Sequence, residues 1–208
     1  MTRPSWRGSC SRDGVALPAV LLLAAFLVAV SGWLLGHVRT EQEMARAGDH
    51  VDQARRTAAA GLEIAAAALG GVADWTVIAG LVVSVPCPLS DRAPVAIDAG
   101  AETVALQAQW DAASRWGRNT PRWQLAWQCD AAGVFGRWPA RSAPPALLVW
   151  LADQPEADGV PDEDSDGRVM VHALAVGPGA ARATASASVQ RAGPGGQVSL
   201  AAWRDGPE

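Results

Sequence analysis

The sequence predicts an α+β fold: a long N-terminal helix, membrane-spanning and then amphipathic, packed on a small antiparallel β-sheet. Three observations predict it. The chain carries no charge from Val15 to Gly36, in the run VALPAVLLLAAFLVAVSGWLLG. A narrow apolar stripe at helical spacing continues from there to Leu69. Beyond Arg122 the apolar residues fall into short runs and alternations separated by Gly/Pro turns.

The first element is a membrane anchor. A helix needs about 20 apolar residues to cross a ~30 Å hydrocarbon core, and the run from Val15 meets that need. It is longer than the apolar core of a cleaved secretory signal, and no A-x-A site follows it. Arg3, Arg7 and Arg12 precede it, against Asp13 alone. That excess predicts a cytoplasmic N-terminus and an extracytoplasmic remainder. Trp33, near the end of the run, suits an interfacial position.

The helical pattern then continues. Met44, Ala47, Val51, Ala54, Ala58, Leu62, Ala65 and Leu69 form one stripe, and Glu43, Arg46, Asp49, Asp52, Arg56 and Glu63 lie opposite. No proline falls between Pro18 and Gly70, so one helix over 18–69 is predicted. Gly70-Gly71 is the expected stop, with a left-handed glycine closing the helix. An alanine-rich stripe packs closely on a surface. That surface is the chain's own sheet, a neighbouring subunit, or each on different turns.

From Val72 to about Gly100 the chain reads as irregular, punctuated by Pro86, Pro88 and Pro94. A short helix is predicted over 102–116. Arg122–Gln128 reads as a half-buried strand with Trp123, Leu125 and Trp127 on one face. Leu147–Leu151 suits a central strand, and Arg168–Val176 another. Ala181–Gln190 alternates, with alanines and Val189 on one side and Arg182, Thr184, Ser186, Ser188 and Gln190 on the other. Gly177-Pro-Gly joins the last two into a hairpin, and Gln197–Trp203 forms a fifth strand. The predicted organisation is therefore a basic leader (1–14), a transmembrane helix (15–36), an amphipathic helix (37–71) and an α+β domain (72–208).

The 208 residues carry a net charge of −4, which argues against a nucleic-acid partner. All 17 basic side chains are arginine, and there are ten Trp but no Tyr. Of three cysteines, Cys10 precedes the anchor, whereas Cys87 and Cys129 follow it. A Cys87–Cys129 disulfide is one state open to that pair in an oxidising compartment. Asp162, Asp164 and Asp166 give the D-x-D-x-D-G start of a calcium loop, but position twelve is Ala173, which excludes an EF-hand. The segment is a solvated acidic turn or a weak Ca²⁺ site; no other cofactor is expected. His37, His50 and His172 lack metal-ligand spacing. No H-E-x-x-H, G-x-S-x-G, Walker A or dinucleotide fingerprint is present, and no enzymatic activity is expected.

The basic leader ending Arg12-Asp13-Gly14, the apolar run directly after it and the helix-then-sheet order resemble a type IV prepilin. Within that group it more closely resembles PilX-type minor pilins and pilus-assembly proteins with a PilX-type N-terminal domain. The similarity lies in GVALPAVLLLAAFLVAVSGW, QARRTAAAGLEIAAAALGGVADW, NTPRWQL, the segment LLVWLADQPEADGVPDEDSDGRVMVHALAVGPGAAR and the closing SLAAWRD. The resemblance implies cleavage by prepilin peptidase after Gly14, leaving Val15 as the mature N-terminus. Pro18 then falls in the first helical turn, where proline is tolerated. It further implies packing against other pilins through Leu17, Leu21, Ala24, Val28 and Leu35. The location implied is the bacterial inner membrane, with the C-terminal domain periplasmic or in a surface filament. Typical pilins carry glutamate at the fifth mature position, where this chain has Ala19, which argues against a major filament subunit. The alternative is an uncleaved, membrane-anchored extracytoplasmic binding or adhesion domain.

Overall fold

The computed structural model describes residues 16–72, 75, 96–113, 120–139, 142–154, 166–192 and 196–205. Helix α1 (Ala16–Gly70) is followed by α2 (Ala99–Ala113), β1 (Gln124–Asp130), a short α3 (Ala131–Phe135), β2 (Ala146–Asp153), β3 (Arg168–Val176), β4 (Arg182–Arg191) and β5 (Val198–Asp205). The strands form one antiparallel meander in the order β1-β2-β3-β4-β5. This is the predicted α+β arrangement. The chain divides into two compact units, 1–46 and 47–208.

Within the second unit, the apolar stripe of α1 covers one face of the sheet. Ala54, Ala58, Leu62, Ala65 and Leu69 are fully buried there with Leu147, Val149, Leu151, Val171, Ala173 and Ala185. Each buried leucine contributes about 1.5–3 kcal/mol. Alanines let the helix approach closely. Gly61 lies at a close approach: a Cβ there would stand 3.0 Å from Leu147 Cδ1 and 3.2 Å from Ala173 Cβ. Earlier in the same stripe Met44, Ala47 and Val51 are exposed.

The opposite face of the sheet packs a second cluster, in which Leu106 of α2 joins Trp123, Leu148, Trp150, Leu174 and Val176. Asp98 caps α2, its Oδ1 accepting from Ala101 N at 3.0 Å. Trp150 Nε1 donates to Thr103 Oγ1 at 2.8 Å. Gln107 accepts from Trp123 N at 2.9 Å and donates to the Pro121 carbonyl at 3.0 Å, tying α2 to the entry of β1.

Helix α2 starts at Ala99, three residues before the predicted 102, and three further details differ from expectation. Helix α1 ends where Gly70-Gly71 predicts, but neither glycine is left-handed; among the described residues the positive-φ glycines are Gly136, Gly167 and Gly179. Instead the indole of Trp75 donates to the Leu69 carbonyl at 3.1 Å. Arg191 lies 4.1 Å over that indole and donates to the Val72 carbonyl. A cation on an aromatic face and a capped carbonyl thus close the helix from outside. Second, Trp123 and Trp127 do not share a face. A β-bulge between Leu125 and Trp127 shifts the register, so Trp123 packs beneath α2 and Trp127 against the α1 side. Third, α3 was not expected. Asp130 Oδ1 accepts from Gly133 N at 2.8 Å to start it, and Gly136 at φ 68° ends it.

Candidate functional site

Two surfaces qualify. The first is the N-terminal part of α1. Every described side chain from 17 to 46 is exposed, and the helix is long and apolar enough to cross a membrane. Leu17, Leu21, Ala24, Val28 and Leu35 lie along one stripe, with Val28 72% exposed. Leu22, Phe26 and Leu34, on other sides of the helix, are exposed as well, so the apolar surface encircles it. Water does not tolerate a surface like this, whereas lipid does. Trp33 stacks on His37 with ring centroids 5.7 Å apart, and His37 Nε2 lies 3.2 Å from Glu41 Oε1. Polar chemistry therefore resumes directly after the apolar run. Gly14 and Val15 lie outside the described residues.

The second surface is a pocket of about 350 Å³ in the domain, between α2 and the β3–β4 part of the sheet, with Val51 and Arg55 of α1 also lining it. Leu106, Trp150 and Leu174 supply apolar wall. Arg182 Nη2 and Glu102 Oε2 meet across it at 2.5 Å. His172 Nδ1 is 2.8 Å from Ser186 Oγ, and its ring lies 5.8 Å from those of Trp123 and Trp150. Burial among these rings pushes the His172 pKa down to about 4. The imidazole is therefore neutral at physiological pH.

That shift makes a stability prediction. An unfolded chain takes up a proton at His172 near pH 6.5, and the folded one refuses it until about pH 4. Stability from this group is therefore intact above pH 6.5, falls as pH drops through that window, and levels off below it. The full loss is roughly 3 kcal/mol. An NMR titration of the His172 ring should show no change between pH 8 and about 5.5. A midpoint at the ordinary histidine value would contradict it.

The other sequence candidates fare differently. Cys129 is fully buried and disulfide-bonded; Cys87 and Cys10 lie outside the described residues. If Cys87 is the partner, Cys87→Ser leaves Cys129 open to thiol alkylation in the denatured, non-reduced chain, and Cys10→Ser does not. The reverse pattern by mass spectrometry would reject the pairing. Asp162 and Asp164 lie outside the described residues. Asp166 stands 3.7 Å from the Arg168 guanidinium, and no group of three metal-ligating side chains occurs among the described residues.

The Glu102–Arg182 and Thr103–Trp150 contacts, 80 and 47 residues apart in sequence, were not foreseen. The only advance signal was the polar row on β4, opposite its alanines, that begins with Arg182. Compared with known proteins, the chain matches no family model, no curated protein and no solved structure.

Proposed function

We propose that this chain is a minor-pilin-like structural component of type IV pilus or pseudopilus assembly. The observation that carries the reading is the division of labour along α1. Its N-terminal part offers an unbroken apolar circumference, and its C-terminal part is spent covering an antiparallel sheet. A helix of this kind can be stored in a bilayer and then packed against like helices in a filament, because both surroundings are apolar. The domain would be presented on the extracytoplasmic side, and the processing site would be Gly14-Val15. The PilX-type resemblance and Ala19 favour a minor subunit.

Sheared surface filaments test this. The chain should be recovered in them at a small fraction of the major subunit and should cross-link to other pilins. Confinement to the membrane fraction, with no such cross-links while filaments are present, would overturn the assembly role. The alternative, an uncleaved anchored binding domain, draws its support from the pocket beside β4.

A further inference from the structure

We propose that the pocket between α2 and β4 binds a small amphipathic carboxylate, its apolar body against Leu106, Leu174 and Trp150 and its carboxylate on Arg182. The inference concerns the domain alone and does not depend on filament assembly.

Shape and chemistry both point this way. At about 350 Å³ the pocket is at the small end for organic ligands, and it fits one ring or a short branched chain. Its lining is mixed: Leu106, Leu174 and Trp150 form a largely buried apolar floor, Gln109 and Thr184 add polar groups, and the charged groups are two guanidiniums, Arg55 and Arg182, and one carboxylate, Glu102. Arg182 gives one nitrogen to Glu102 and its side chain is about half exposed, so its five-donor fork is reachable by a second acceptor. A guanidinium fork matches a carboxylate in geometry as well as charge. Arg55 is held only loosely, 3.4 Å from Asp52 on the exposed side, and can turn toward an incoming anion.

Specificity follows from the same residues. A cationic head would meet a net positive lining, two guanidiniums against one carboxylate that Arg182 already engages. A neutral head would leave the Arg182 donors in water and gain only apolar contact. His172, held neutral among the indole rings, adds no competing charge.

The test uses the full chain in phosphatidylcholine nanodiscs, with empty discs as the blank. The probes are 4-phenylbutyrate, 4-phenylbutan-1-ol and 4-phenylbutylamine, and the readout is the Trp150 Nε1 resonance. The butyrate should shift that signal saturably and bind about tenfold or more tighter than the alcohol or the amine, the margin expected of one charge-assisted pair. Ala105→Phe, which fills the pocket from an exposed position on α2, should abolish the shift. Arg182→Gln should remove the preference for the carboxylate. Because Arg182→Gln also unpairs Glu102, Glu102→Gln/Arg182→Gln is the matched variant and should behave the same way. No shift, equal affinity for the three probes, or unchanged binding in Ala105→Phe would each overturn the proposal.

Discussion

Gly61→Val should unfold the domain at a temperature lower by about 5–10 °C, the equivalent of roughly 2–3 kcal/mol. Glycine inside a helix ordinarily costs about 1 kcal/mol relative to alanine, so a replacement would be expected to help. Here the helix lies too close to the sheet. A Cβ would sit 3.0 Å from Leu147 Cδ1, 3.3 Å from its Cδ2 and 3.2 Å from Ala173 Cβ. The leucine methyls can turn, but the Ala173 Cβ moves only with β3, which is hydrogen-bonded on both sides. Valine adds two more carbons and a stiff χ1. Gly61→Ala is the informative companion: its propensity gain and its crowding nearly cancel, so its unfolding temperature should stay close to the parent's. Near-ultraviolet circular dichroism of the full chain in nanodiscs reads both variants. A valine variant as stable as the parent would show that α1 does not lie on the sheet at this distance.

The double substitution Leu21→Arg/Val28→Arg should release the chain from membranes. Each arginine near the centre of a spanning helix costs about 2.5–3.5 kcal/mol on insertion, and two cost about 5–7 kcal/mol. Both positions are exposed on the apolar helix, so neither change disturbs the packed domain. Thr40→Arg, beyond the apolar run and exposed, is the control and should have no effect. Alkaline carbonate extraction measures the outcome. The parent and Thr40→Arg should stay in the pellet, and the double variant should move to the supernatant. A double variant that resists extraction as fully as the parent would mean that the apolar run is not what holds the chain.

Much of this architecture was legible because it is periodic. The stripe from Ala54 to Leu69 is a spacing pattern, and the helix buries those residues against the sheet. Strands β2 to β5 were legible from two patterns: β4 alternates, whereas a continuous apolar run suits a strand buried on both faces, and β2 is buried along its whole length. The misreadings have local causes. Alternation cannot register an inserted residue, so the bulge before Trp127 was invisible and the tryptophans were assigned to one face. Glycine at 70–71 suggested a left-handed cap, but tertiary partners, Trp75 and Arg191, supplied the closure. The pocket was least legible of all. Its polar pair comes from Glu102 and Arg182, and only the docking of α2 on the sheet brings them together.

The most direct test of the pilin-like account is the N-terminal residue of the protein recovered from membranes, with and without prepilin peptidase. The account predicts a start at Val15 that depends on the peptidase. A Met1 or Thr2 start in both samples would contradict it and leave a signal-anchored domain that never enters a filament.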